Sequence, residues 1–409
     1  MELKIPSPSP EKISALEGLR GLCAVLVVLS HLLNSPFSDP TVYQFAWEFP
    51  ADVLKAIGPP CVMVFFVLSG FVMAHRYVTP FDLRDFWHYL GRRLLRLWPL
   101  MLPSIALSIV LCGLPPWPVV VGNSLFLQSI LVPAMPQNLP LWSISYEMFY
   151  YLLFGVVMLR RWSELVFPAV ALLGVFLGAF FHYLGLNILI LTGLWYAGFW
   201  LARHPALLQA GFVPFVGSSP IFRTFSLLCL ASAYMHGNAL TALLEAAGAP
   251  CAEAIGRLAL FPLFLAIVAL ALGLEWRWLR PFCLGILSLC LLRAVFALHH
   301  PASGTMELVL PILVHLLLAL LFWILPFPEK LRFQPLAALG SISYALYVFH
   351  WPIYGLAWSL FNQAGRPMSL LFLLLPATLL AIFLLSWFAE RIYQSWWNRL
   401  LRPFLGVGK

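Results

Sequence analysis

The 409-residue chain is 62% hydrophobic and 10% charged, with a mean hydropathy of +0.91. Soluble domains carry about 25% charged residues, so the composition excludes a water-soluble globular protein and requires a bilayer. The net charge of +8 is spread through short loops rather than gathered in one solvated patch, which argues against nucleic acid and for membrane lipids with anionic heads as partners.

In chain order, residues 1–12 are a short stub with Pro6, Pro8 and Pro10 and no small-residue cleavage pattern, so the first apolar helix is expected to insert by itself. A helix needs about 20 apolar residues to cross the hydrocarbon core, within a range of about 17–25. That rule places twelve spans, near residues 13–33, 57–75, 94–112, 141–159, 164–181, 187–202, 224–243, 257–274, 281–298, 306–325, 338–358 and 369–388. No polar insert divides them. Residues 13–390 are therefore expected to form one all-α polytopic bundle of about 10–12 transmembrane helices, with a tail over 391–409. With the N-terminus inside, twenty of the 24 Lys and Arg fall on the inner side, three in outer loops and one within a span. The positive-inside rule then places both termini in the cytoplasm.

The segments outside the spans are less distinctive. The loop from Asn34 to Lys55, with Asp39, Trp47, Glu48 and Asp52, reads as a solvated loop or as a contact for an acceptor. Residues 113–140, uncharged and proline-rich, read as an outer loop or a re-entrant segment, the latter needing protein or water around its backbone. Ser69-Gly70 is expected to let the second span pack closely on the first, and Gly174-x-x-x-Gly178 offers another close approach. Seven scattered cysteines, with no Cys-x-x-Cys pair or Cys/His cluster, read as small hydrophobes and suggest no metal site.

The informative residues are the ionisable ones inside apolar runs, since a charge at mid-bilayer costs about 2.5–3.5 kcal/mol on insertion scales. Arg20 and His31 lie eleven positions apart in the first span. Eleven steps of about 100° make three turns plus roughly 20°, so both emerge on one face, roughly 16 Å apart along the axis. Glu17, three residues before Arg20, is placed to pair with it. A lone His in a span is either a buried hydrogen-bonded group or a functional one. Arg92, Arg93 and Arg96 open the third span, as anchors on lipid phosphate or as bidentate phosphate ligands. Glu147, at the start of the fourth span, either orients a histidine or joins two helices. Ser343, Tyr347 and His350 share a face of the eleventh span, as a structural network or a second histidine site. His315 and Arg293 read as helix-to-helix ties or snorkelling groups.

Five stretches, in order, carry a family resemblance: Arg20-x10-His31, Phe65-Phe66-Val67-Leu68-Ser69-Gly70-Phe71, Arg92-Arg93-Leu94-Leu95-Arg96-Leu97-Trp98-Pro99, Leu141-Trp142-Ser143-Ile144-Ser145-Tyr146-Glu147, and Ser343-Tyr344-Ala345-Leu346-Tyr347-Val348-Phe349-His350-Trp351-Pro352. Together they resemble the acyltransferase-3 family of integral membrane acyltransferases. Glu17 stands where members more often show Asp, Trp98 where many have Tyr, and twelve spans exceed the usual ten or so. The soluble esterase-like domain that some members append is not expected here.

The resemblance implies an O-acyltransferase moving an acyl group, acetyl by preference, from acyl-CoA to a hydroxyl of a carbohydrate or glycolipid. It places the chain in a bacterial inner membrane and leaves oligomeric state open, a homo-oligomer included. His31 is then expected as general base, because neutral imidazole is suited to removing the hydroxyl proton during attack on a thioester. Glu147 and His350 are its expected catalytic partners. Arg20, Arg92, Arg93 and Arg96 are expected on the phosphates of the donor, whose pantetheine arm matches the Arg20 to His31 separation in order of length. The alternative from another class is a proton-coupled transporter relaying protons through Glu147, His31 and His350, although internal repeats are not seen.

Overall fold

The computed structural model describes residues 10–34, 53–181, 184–204, 210–248, 252–301, 304–365 and 368–401. The loop residues Asp39, Trp47, Glu48 and Asp52, residues 1–9 of the N-terminal stub and residues 402–409 of the C-terminal tail lie outside them. The helices of seven or more residues are α1 Pro10–Asn34, α2 Gly58–Arg76, α3 Leu83–Cys112, α4 Trp117–Ser124, α5 Trp142–Arg160, α6 Val166–Phe180, α7 Thr192–Arg203, α8 Pro220–Gly237, α9 Ala239–Ala246, α10 Ala252–Leu258, α11 Phe261–Ala271, α12 Leu279–His299, α13 Thr305–Ile324, α14 Ser343–Gln363, α15 Met368–Phe388 and α16 Gln394–Leu401, with single turns at Asn187–Ile190 and Ala337–Gly340. Strands β1, Phe212–Pro214, and β2, Leu274–Trp276, form one short antiparallel pair with Val213 opposite Glu275.

The chain is an all-α integral membrane protein. Among the described residues eight helical stretches are long and apolar enough to cross a bilayer, or nine if Gln334–Gly340 and Ser343–Gln363 count as one span. Each of the twelve predicted spans falls on helix, but several are short or interrupted. Asn238, with φ 45°, breaks α8 from α9, and α7 and α11 are only 12 and 11 residues long. Only 22% of the most apolar stretch of α12 is buried, and only 33% of that of α13. Such faces are stable where hydrocarbon replaces water, the environment their composition suits.

The described residues cluster into two compact units. The first comprises Met1–Ser30, Phe49–Val78 and Phe167–Gly340; the second comprises His31–Glu48, Thr79–Val166 and Ser341–Lys409.

In the first unit α2 packs along α7, and glycine makes that approach possible. A Cβ on Gly70 would stand 1.9 Å from the Trp195 carbonyl oxygen, and one on Gly198 would stand 1.8 Å from that of Val67. Trp195 Nε1 also donates to Ser69 Oγ at 3.3 Å. The Ser69-Gly70 step thus serves α7, not the first span as expected from its neighbour in sequence. Gly198→Val is expected to force the two backbones apart and lower stability by about 1–3 kcal/mol, seen as a reduced thermal midpoint of the detergent-solubilised protein. Of the Gly174/Gly178 pair, only Gly174 meets a close neighbour, at Leu189 and Ile190. His315 bridges helices as expected, its ring facing the Pro311 and Val53 carbonyls at 2.7 and 2.9 Å, and Arg293 Nε donates to Gly237 O at 3.1 Å.

In the second unit α3 begins with a reciprocal cap, Asp85 N donating to Asp82 Oδ1 at 2.7 Å. It contains Pro99 and Pro103 and packs on α5 and α14. Proline lacks an N–H, so Pro99 leaves the Leu95 carbonyl without its helical partner, and in a bilayer that group must be met internally. Gln394 Nε2 reaches it at 3.4 Å and the Arg96 carbonyl at 3.0 Å. Gln394 lies in the predicted tail, yet the last helix continues through a π-turn at Ala389–Tyr393 to Leu401, and Gln394 is buried.

Residues 113–141 are folded rather than a bare loop. Asn123 Nδ2 donates to Val119 O and Pro133 O at 2.8 and 3.0 Å, its Oδ1 accepts from Met135 N at 3.1 Å, and Gln128 Nε2 donates to Leu141 O at 2.9 Å. These buried amides supply the partners that irregular backbone needs away from water.

Candidate functional site

Two histidines meet in the second unit. α1 runs unbroken from Pro10 to Asn34, so Arg20 and His31 do stand on one helix, with His31 in its last turn. His31 Nδ1 lies 2.8 Å from His350 Nε2 of α14, and the ring planes are within 5° of parallel. The Trp351 ring stands edge-on to His31 at 5.3 Å. His350 is fully buried, while His31 keeps partial exposure.

The hydrogen bonds assign the protons. His350 Nδ1 faces Leu346 O at 2.9 Å, and a carbonyl only accepts, so that nitrogen carries the proton. With both rings neutral, His350 Nε2 then offers a lone pair, and His31 Nδ1–H donates into it. The consequence is a bare Nε2 on His31, the atom able to accept a proton from a hydroxyl.

The segment before α5 holds His350's helix in place. Pro352 leaves the Val348 carbonyl unmet by the helix, and Asn138 Nδ2 donates to it at 2.9 Å. Tyr347 Oη donates to Pro140 O at 2.9 Å and lies 2.8 Å from Ser143 Oγ. Tyr344 Oη donates to Leu97 O at 2.9 Å. Asn138→Leu is expected to orphan the Val348 carbonyl and lower stability by about 1–3 kcal/mol, measured by thermal unfolding in detergent. Asn138 was not a candidate from sequence, although a proline inside an apolar span always announces an orphaned carbonyl four residues earlier.

The other predicted residues have intramolecular partners. Glu147 accepts from Tyr151 Oη one turn along α5, and its charge reaches Tyr344 and Tyr347 rather than forming a bond with His31. Arg96 pairs with Glu390 of the π-turn and reaches Gln394 Oε1 at 3.3 Å, with Tyr344 beneath its guanidinium at 5.3 Å. Glu390 Oε2 in turn accepts from Ala345 N at 3.3 Å. Arg93 is buried between the rings of Tyr89 and Tyr151, 5.7 and 5.3 Å from their centroids. Arg92 is half-buried.

In the first unit Arg20 pairs with Glu17, as the spacing predicts, and donates from Nη2 and Nε to Gly340 O at 3.0 and 3.3 Å. Gly340 ends a short helix, where carbonyls lack helical partners and a cation is favoured. Small residues permit this: a Cβ on Gly18 would stand 1.9 Å from Phe333 O, and one on Gly340 would stand 2.0 Å from Glu17 O. A separate cavity of about 300 Å³ in this unit is lined by Glu11, Lys12, Glu329, Arg332 and Gln334 among others, and by none of the predicted site residues.

A family model described as an acyltransferase domain, acyltransferase 3, matches residues 13–391. The chain is 29% identical over 172 residues to "Acyltransferase MdmB" of Streptomyces mycarofaciens, a match covering 39% of this chain. It spans about two fifths, 41%, of that relative's length. No solved structure matches the chain.

Proposed function

The chain belongs to the acyltransferase-3 family, and we propose that it is a membrane O-acyltransferase, moving an acyl group, acetyl by preference, from acyl-CoA to a hydroxyl of a carbohydrate or glycolipid. The observation that carries this reading is the hydrogen-bonded pair His31–His350, which leaves an imidazole lone pair on a partly exposed ring. In the proposed reaction the acceptor hydroxyl gives its proton to His31 Nε2 as its oxygen attacks the thioester carbonyl. The tetrahedral intermediate then collapses, and the proton returns to the departing CoA thiolate, so atoms and charge balance.

His350 positions His31 in this scheme, as the third member of a nucleophile–base–orienter set does, with a backbone carbonyl rather than a carboxylate at its far end. Glu147, bonded to Tyr151, acts at a distance on the tyrosines of α14. Arg92 and Arg93 are the guanidinium groups proposed for the donor's phosphates, to which Arg geometry is matched. Arg20 pairs with Glu17, Arg96 with Glu390, and Arg93 lies between Tyr89 and Tyr151, so a phosphate received by any of them must share it with those groups. A bacterial inner membrane with both termini cytoplasmic gives this donor access from the side where acyl-CoA is made.

The test uses the full-length protein purified in detergent, without an ion gradient, given acetyl-CoA and an oligosaccharide or glycolipid mixture. Free CoA thiol should appear together with an added acyl mass on the acceptor. Transport activity that depends on a proton gradient, with no acyl mass on any acceptor, would overturn the reading.

A further inference from the structure

Arg223 is a cation whose surroundings do not account for it. It lies in the first turn of α8, after the N-cap Ser219, where the helix dipole disfavours a positive charge. It is 8% exposed, and its Nε and Nη1 are buried without a hydrogen-bond partner. The hydroxyl of Thr224, the next residue, is also buried and without a partner. The guanidinium stacks on Trp323 of α13, its carbon 3.7 Å from the ring centroid. Stacking engages the face of the fork and leaves its N–H edges unmet.

The charged and titratable groups facing it are Glu275 of β2 and Arg280 and Cys283 of α12. Glu275 influences Arg223 without accepting a hydrogen bond from Nε or Nη1, and Arg280 adds a second positive charge. Around them the ends of three helices coincide: α8 begins at Pro220, α12 begins at Leu279 and α13 ends at Ile324. This level is rich in aromatic rings. Phe222 stacks on Phe327 at 3.6 Å, Trp276 packs on Phe282 at 5.6 Å, and Trp278 is largely exposed. Aromatic side chains collect at the height of lipid headgroups, where phosphate is the most abundant anion.

We propose that Arg223, with Thr224 and Arg280, binds a phosphate group at this aromatic belt. The planar fork presents two N–H groups to two oxygens, the threonine hydroxyl a third donor, and Arg280 the second charge a phosphate ester requires. The phosphate belongs either to an anionic phospholipid or to a free phosphate from the aqueous side. The site shares no residue with the histidine pair, so it stands or falls independently of the proposed reaction.

The test compares wild type, Arg223→Gln and Arg280→Gln, purified in detergent, by native mass spectrometry. One arm adds phosphatidylglycerol, with diacylglycerol as its phosphate-free control; the other adds inorganic phosphate. Wild type should retain phosphatidylglycerol, or inorganic phosphate, at least 5-fold more than either variant. Phosphatidylglycerol retention undisturbed by phosphate assigns the lipid; phosphate retention alone assigns the free anion. Equal retention in all three proteins overturns the proposal, as does wild type holding diacylglycerol as well as phosphatidylglycerol while binding no phosphate. The wild-type comparison decides the matter if a variant fails to fold.

Discussion

His31→Gln is expected to abolish acyl transfer while the protein still inserts and purifies as a folded bundle. Glutamine is the informative replacement because its amide N–H can still donate to His350 Nε2, so the buried ring keeps a partner while the base is gone. Losing a positioned general base typically costs about 10²–10⁴ in rate. His350→Ala should lose less, by a different route, since it keeps the base but leaves His31 unanchored and free to carry its proton on either nitrogen. The two changes act through one unit, so the double variant should be no slower than His31→Gln alone. The measurement is the initial rate of CoA thiol release at saturating donor, beside the thermal midpoint of each variant. Turnover of His31→Gln within about tenfold of wild type would remove histidine from the mechanism.

Glu390→Ala is expected to cost the second unit about 3 kcal/mol, the low end of the range for breaking a buried ion pair, because Arg96 retains some exposure. Two losses combine: Arg96 is left without its counter-charge, and Ala345 N at the head of α14 loses its acceptor. Replacing both partners, Arg96→Met with Glu390→Met, should restore much of that loss, since no lone charge then remains in an apolar setting. Thermal unfolding of the two single variants and the double variant gives the coupling directly. A coupling below about 0.5 kcal/mol would show the pair to be as weak as an exposed one. The same series addresses donor binding: if Arg96 receives donor phosphate as well, Arg96→Met raises the KM for acyl-CoA in the restored double variant.

Much of the fold is legible in the sequence because hydropathy and helical periodicity are local. All twelve apolar segments coincide with helix, and the eleven-residue step from Arg20 to His31 survives on one unbroken α1. The pairing of Glu17 with Arg20 follows from the same geometry, three residues being less than one turn. The interruptions at Asn238 and after Gly340 were not legible, since a span broken by one left-handed residue or a short turn has almost the composition of a continuous one.

The site divides along the same boundary. Sequence by itself determined that two histidines, a carboxylate and a set of arginines lie inside apolar helices, where ionisable groups persist only with partners or a function. Tertiary structure decided who the partners are: His350 for His31, Glu390 for Arg96, Asn138 for the Val348 carbonyl, and α7 rather than the first span for Gly70. The partners of His31 and Arg96 stand about 300 residues away along the chain. Periodicity specifies which face of a helix a residue occupies; which other helix meets that face depends on how the whole set packs, where a glycine or an orphaned carbonyl is satisfied only by a matching surface.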